Sequence, residues 1–144
     1  MPLNGYTLGR DATFTVVTPS GTLTLNGLTG FKSKPVYEKL KSKPLNGVVN
    51  NAAIPQGHTG SFTIDRSDAQ TDTYFAQIEA AYLANGATMQ AGTILETINE
   101  ADGSISQWQY NGVVLMLEDS GDFEADKKVV QTINFEASTK VRVA

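Results

Sequence analysis

The chain of 144 residues contains no cysteine, which excludes disulfides, thiol nucleophiles and thiolate-held metals. Its single histidine, His58, is too little imidazole for a zinc site once cysteine is absent. No apolar run approaches the ~20 residues of a membrane-spanning helix. The first residues show no charged stretch followed by an apolar one, so the expectation is a cytoplasmic product with no membrane partner. Charged residues make up 18% of the chain, below the ~25% of ordinary soluble domains. The net charge of −4 argues against electrostatic gripping of nucleic acid by the whole molecule. The sequence also lacks a phosphate loop ending in Gly-Lys-Ser or Gly-Lys-Thr, and a Gly-x-Gly-x-x-Gly after a strand.

Threonine, with 16 copies, and other small polar residues stand where charge is missing. Such a surface suits burial against neighbours, because interface cores are depleted in charge. It equally suits the solvent face of a β-rich protein, since threonine favours strands. The length fits one domain over 1–144, large enough for a core without staples.

Period-2 alternation recurs along the chain and predicts strands. Residues 13–17 alternate around Phe14 and Val16. Pro19-Ser20-Gly21 breaks the chain, and 22–25 alternate again, which reads as a hairpin. Residues 61–65 place Phe62 and Ile64 inward. Residues 93–99 and 105–110 flank Asp102-Gly103, a dipeptide suited to a tight hairpin turn. Residues 131–138 put Ile133, Phe135 and Ala137 on one face and Thr132, Asn134 and Glu136 on the other. Residues 113–117 are apolar throughout, so both faces of that strand require cover. The expected cover is a helix on one side and a second sheet on the other, with contact to another subunit as the alternative.

One helix is predicted over about 68–84. Ser67 and Gln70 fit a capping box, and Asp68 and Asp72 suit the positive first turn. Phe75, Ile78 and Tyr82 recur at helical spacing and are expected to lie on a sheet, and Asn85-Gly86 stops the helix. The fold class is therefore mainly β (α+β): an antiparallel β-sandwich or barrel with one packed α-helix and an extended β-hairpin arm.

The arm is read at about 28–57, bent at Pro35, with Asn46-Gly47 and Asn50-Asn51 in a polar loop reaching Gly57. Residues 31–45 hold five lysines and one acid, a local net of +4. Residues 96–136 hold nine acids and two lysines, a local net of −7. Opposite patches on one small domain can meet within the molecule or between copies, where head-to-tail contact gives rings or filaments. The Phe31, Tyr37 and Leu40 side chains interleaved with the lysines favour contact over simple solvation. A nucleic-acid groove built on the same residues is opposed by the acidic remainder.

No catalytic constellation emerges. His58, Ser61 and Asp65 fall on one predicted strand, where His58 and Ser61 have opposite parity and cannot meet as a triad. His58 is expected in a loop beside Gly57 and Gly60. Asp119, Asp122, Glu124 and Asp126 lack the spacing of a calcium loop, since Gly121 falls at its third position. Glu96 and Glu100 share a strand face, and nothing marks them for acid–base work. No enzyme activity, cofactor or metal is expected.

The order of these segments resembles the tail tube proteins of contractile-tailed bacteriophages. The residues that carry the resemblance begin with the hairpin from Thr13 and the lysine arm ending in Ser42-Lys43-Pro44-Leu45-Asn46-Gly47. They continue through Gly60-Ser61-Phe62-Thr63-Ile64-Asp65-Arg66, the helix with Asp72, Tyr74 and Phe75, the hairpin over Asp102-Gly103, and the strand with Gln131, Ile133 and Phe135. The resemblance implies a β-sandwich or barrel flanked by one helix, hexameric rings stacked into a hollow tube, and a hairpin reaching the next ring. It makes Phe31, Lys32, Lys34, Tyr37, Lys39, Leu40 and Lys41 the expected inter-ring contacts, and Thr132, Asn134 and Glu136 the expected lumen face. The implied partners are further copies of the chain, sheath, tape-measure and baseplate proteins, and DNA passing without specific binding. The implied location is the virion tail, assembled in the host bacterial cytoplasm. Two alternatives stay open: a type VI secretion-like tube protein, and a β-sandwich ligand-binding module using Trp108 and Tyr110 as a stacking platform for glycans.

Overall fold

The structure is a computed structural model that describes residues 4–19, 21–23, 27–86 and 91–143. After a short 3-10 turn at Gly9–Asp11 the order is β1 (Ala12–Thr18), β2 (Gly21–Leu23), β3 (Leu28–Ser42), β4 (Asn50–Asp65), α1 (Gln70–Asn85), β5 (Gly92–Asn99), β6 (Ile105–Asp119), β7 (Val130–Ala137) and β8 (Thr139–Arg142). All pairings are antiparallel, in the order β2-β1-β5-β6-β7-β4-β3, with β8 also on β6.

The long strand β6 belongs to both halves of this sheet. Its first part pairs with β5 and β8, and from Val114 onward it pairs with β7. Gly112 stands at the change of partner with φ 65°, a left-handed conformation that a residue bearing Cβ adopts at a cost. The bend folds one half-sheet over the other. Phe14 of β1 and Phe31 of β3, far apart in strand order, stack across the gap with ring centroids 4.1 Å apart. The sheet is folded over, and it does not close into a barrel, because β2 and β3 end the strand order without pairing to each other.

The alternation read from the sequence accounts for the core. Phe62, Ile64, Ile133, Phe135 and Ala137 are buried from one half, and Val16, Ile94 and Tyr110 from the other. Their rings form a connected cluster, with Phe31–Phe62, Phe31–Phe135, Phe62–Phe135 and Tyr110–Phe135 centroids 4.9, 5.5, 5.5 and 5.8 Å apart. The turn at Asp102-Gly103 forms as expected, with Asp102 accepting from the Ser104 backbone N–H and hydroxyl. In the expected hairpin over 13–25, Ser20, Thr24 and Leu25 lie outside the described residues.

The helix departs from expectation at its start, while its stop at Asn85-Gly86 forms as expected. Asp68, not Ser67, supports its start by accepting from the Gln70 backbone N–H, 3.1 Å. Gly86 ends it with φ 69° and its N–H on the Tyr82 carbonyl. The N-terminal turn does the docking: Asp72 accepts from Arg66 at 2.9 Å and from the Gln131 side-chain amide at 2.8 Å. Thr71 is buried, and Tyr74 and Phe75 pack against the core. Tyr82, expected on a sheet, is 58% exposed, because α1 meets β2 near its start and runs off the sheet beyond Ile78.

The helix does not back residues 113–117 either. Val113 and Leu115 enter the core, while Met116 on the other face is 43% exposed. Among the described residues the expected two-sided cover is therefore absent.

Candidate assembly surfaces

The most extended feature is the β3–β4 hairpin. Its register runs from Leu28 opposite Ile64 to Ser42 opposite Asn50. The polar loop expected up to Gly57 is shorter, since cross-strand pairing continues to Asn50 and only a turn remains at its tip. That turn is closed by Gly47 donating to the Pro44 carbonyl, with Asn46 accepting from the Val48 N–H. The register slips between Pro35 and Tyr37, where Gly57 takes φ 94°, so a β-bulge bends the ribbon at its root. Beyond Pro35, the seven β3 residues 36–42 project roughly 23 Å at ~3.3 Å per residue.

Strand alternation gives this ribbon two unlike faces. One carries Tyr37, Lys39 and Lys41 opposite Pro55, Ala53 and Asn51. The other carries Val36, Glu38 and Leu40, with Ile54 and Ala52 opposite the last two. Tyr37, Leu40 and Ile54 are 52%, 46% and 43% exposed. Among the described residues the ion pairs are Arg66–Asp72, Lys127–Glu124, Lys128–Asp65 and Lys140–Glu96, and none involves an arm lysine. Glu38 accepts from the Gln56 amide at 3.0 Å.

The residues expected as arm contacts thus separate in space. Tyr37, Lys39, Leu40 and Lys41 stand on the projecting ribbon. Lys32 and Lys34 lie below the bulge on the outer face of the sheet, beside Thr59, Ser61 and Glu136. Phe31 is held within the chain's own aromatic cluster, so its place is in the core. Ile54, on the same face as Leu40, is hidden in the sequence because residues 50–57 have the composition of a loop, while the register places it opposite Glu38.

Thr132, Asn134 and Glu136 share the outer face of the folded sheet with Thr63, Ser61 and Thr59 on β4, and with Met116 and Val114 on β6. This half-sheet has four strands, ordered β6-β7-β4-β3. Among the described residues, no strand pairs with the far edge of β3 or with the far edge of β6 over 114–119. Both of its edges present open backbone donors and acceptors.

A polar seam lies inside, at the arm's root. The buried Tyr110 hydroxyl donates to Glu96 at 3.1 Å and is 2.9 Å from the Ser33 hydroxyl. Burial pushes the Tyr110 phenol above its ordinary range. Lys140 Nζ is 4.0 Å from Glu96 and lies over the Trp108 and Tyr110 rings at 5.0 and 5.2 Å. Tyr110 is fully buried, so it does not form an exposed stacking platform with Trp108. His58 sits on β4 instead of in a loop, edge-on to Tyr110 at 6.0 Å; Gly57 bulges the strand without ending it. Among the described residues, no group of three or more acidic or histidine side chains is placed to hold a metal, and no helix is long and apolar enough to cross a membrane.

No family model matches the sequence, and no curated protein does. Solved structures do match. A chain of the anti-feeding prophage cap (AFP tube terminating cap) aligns with TM-score 0.65 and 12% identity over 99% of this chain and 94% of that one. A chain of the PVC sheath/tube terminator of an extracellular contractile injection system, in its extended state, aligns with TM-score 0.60 and 14% identity over 100% and 98%. The fold is that of tail tube and tube terminator proteins. A chain from the tail of the empty gene transfer agent particle, from helical refinement with C6 symmetry, aligns with TM-score 0.58 and 14% identity over 96% and 100%.

Proposed function

We propose that this protein is a structural subunit without enzymatic activity, whose rings stack into the tube of a phage-type tail and conduct DNA into the host. The observation that carries this reading is the exposed ribbon with two unlike faces, whose lysines make no ion pair among the described residues, on a tube fold. Lateral contacts use the open edges of β3 and β6, so that four-stranded half-sheets join around a ring and no edge is left to aggregate. In such a ring Met116 and Val114, uncovered by the helix, gain neighbours.

The bore is lined by the face carrying Thr132, Asn134 and Glu136, which is mostly polar, with Lys32 and Lys34 beside them and Val114 and Met116 toward the β6 edge. Six copies carry a formal −24, from −4 per chain, so the ring as a whole does not attract a polyanion. Lys39, Lys41, Tyr37 and Leu40 serve the next ring. The tube is the core to which sheath, tape-measure and baseplate proteins attach, within a virion tail assembled in the host cytoplasm. A second reading, a tube or terminator ring of a contractile injection device, draws on the two injection-system structures above. Its type VI form is distinguished by gene neighbours: a secretion ATPase in place of a capsid gene.

Electron micrographs of purified, concentrated protein test the assembly. Rings or tubes with a central hole are expected, and single particles at every concentration contradict it.

A further inference from the structure

We propose that the cationic face of one arm docks on the opposite end of a second copy, on the loop between β6 and β7. This deepens the tube reading and rests on it. Strand β4 runs from the arm to Asp65, and β7 pairs along it with Ala137 opposite His58 and Val130 opposite Asp65. The β6–β7 loop at 120–129 therefore lies at the end of the sheet away from the arm.

That loop presents what the arm lacks. Residues 118–128 hold five acids and two lysines, whereas residues 32–43 hold five lysines and one acid. Lys127 is engaged by Glu124 and Lys128 by Asp65, and nearby Arg66 is held by Asp72. Glu118, Asp119, Asp122 and Asp126 remain without a cationic partner among the described residues. In their midst Phe123 is 75% exposed, unlike the ring cluster of the core. The arm face with Tyr37, Lys39 and Lys41 matches this loop in kind, aromatic to aromatic and ammonium to carboxylate.

The two surfaces belong to opposite ends of one molecule, so their contact is heterologous. Copies joined this way repeat head to tail, and extend into a filament when the rotation between them does not close. An arm projecting beyond the sheet suits such a joint, because it crosses the gap between stacked bodies before meeting the loop.

The test reverses charge on each side. Asp122→Lys with Asp126→Lys, and separately Lys39→Glu with Lys41→Glu, are each expected to lower the sedimentable fraction at least about tenfold at low salt. The four substitutions combined in one chain restore assembly, which also shows that the variants fold. Since the protein has no cysteine, Lys41→Cys with Asp122→Cys is expected to give a ladder of disulfide-linked multimers under mild oxidation. If the loop variant assembles like the parent while the arm variant does not, the docking inference falls and the tube reading stands. A combined variant no better than either half, without a cysteine ladder, also overturns the inference. A parent protein that never assembles overturns the tube reading itself.

Discussion

Gly60 shows how a single missing side chain holds two strands together. It lies opposite Phe135 on β7 and Ser33 on β3. A Cβ there meets the Lys32 carbonyl oxygen and comes within 2.7 Å of the Phe135 ring. Backbone cannot yield as a flexible side chain does, so Gly60→Ala is expected to destabilise by more than about 3 kcal/mol, measured by urea unfolding. Tyr110→Phe leaves the ring in place but strips the buried Glu96 of a donor and Ser33 of a partner. The expected loss is about 1–3 kcal/mol. Burial raises the Tyr110 phenol above its ordinary value, so the neutral form is the one the fold favours. Its contribution is intact below pH ~10 and declines above it, as the unfolded phenol ionises first. An ultraviolet titration is expected to lose a late-ionising component in Tyr110→Phe.

At the scale of elements, the strands were legible in the sequence because alternation is local: Phe62 with Ile64, and Ile133 with Phe135, report their burial without reference to the rest of the chain. Register is not local, and that is where reading failed. Residues 50–57 look like a loop by composition, yet the ladder from Tyr37–Pro55 to Ser42–Asn50 makes them half of the arm. Phe31 sits in sequence among the lysines, but only folding of the two half-sheets brings Phe14 to within 4.1 Å of it. The helix was foreseen from Phe75, Ile78 and Tyr82, whereas its docking depends on Asp72 bonding to Arg66 and Gln131, contacts that spacing does not encode. Because the arm tip contributes nothing to the core, Lys39→Glu with Lys41→Glu is expected to change stability by less than about 0.5 kcal/mol, as read from thermal unfolding. A collapse of the fold in that variant would place the arm within the core.

For the whole molecule, Lys39 and Lys41 of the arm and the five acids of residues 118–128 stand at opposite ends of the sheet. Attraction between such blocks is screened over ~8 Å at physiological ionic strength and over ~3 Å in 1 M salt. Assembly through the arm is therefore expected to weaken as salt rises, in contrast to contacts made by apolar burial alone. Light scattering across a salt series checks this, and scattering that grows with salt contradicts an ionic joint.

The central claim, that copies of this chain join through a projecting arm, is tested most directly by sedimentation velocity of the intact protein at increasing concentration in low salt. The account predicts species larger than a single ring of 15.4 kDa chains, which the Lys39→Glu, Lys41→Glu variant reduces to rings. A single 15.4 kDa boundary at every concentration contradicts it.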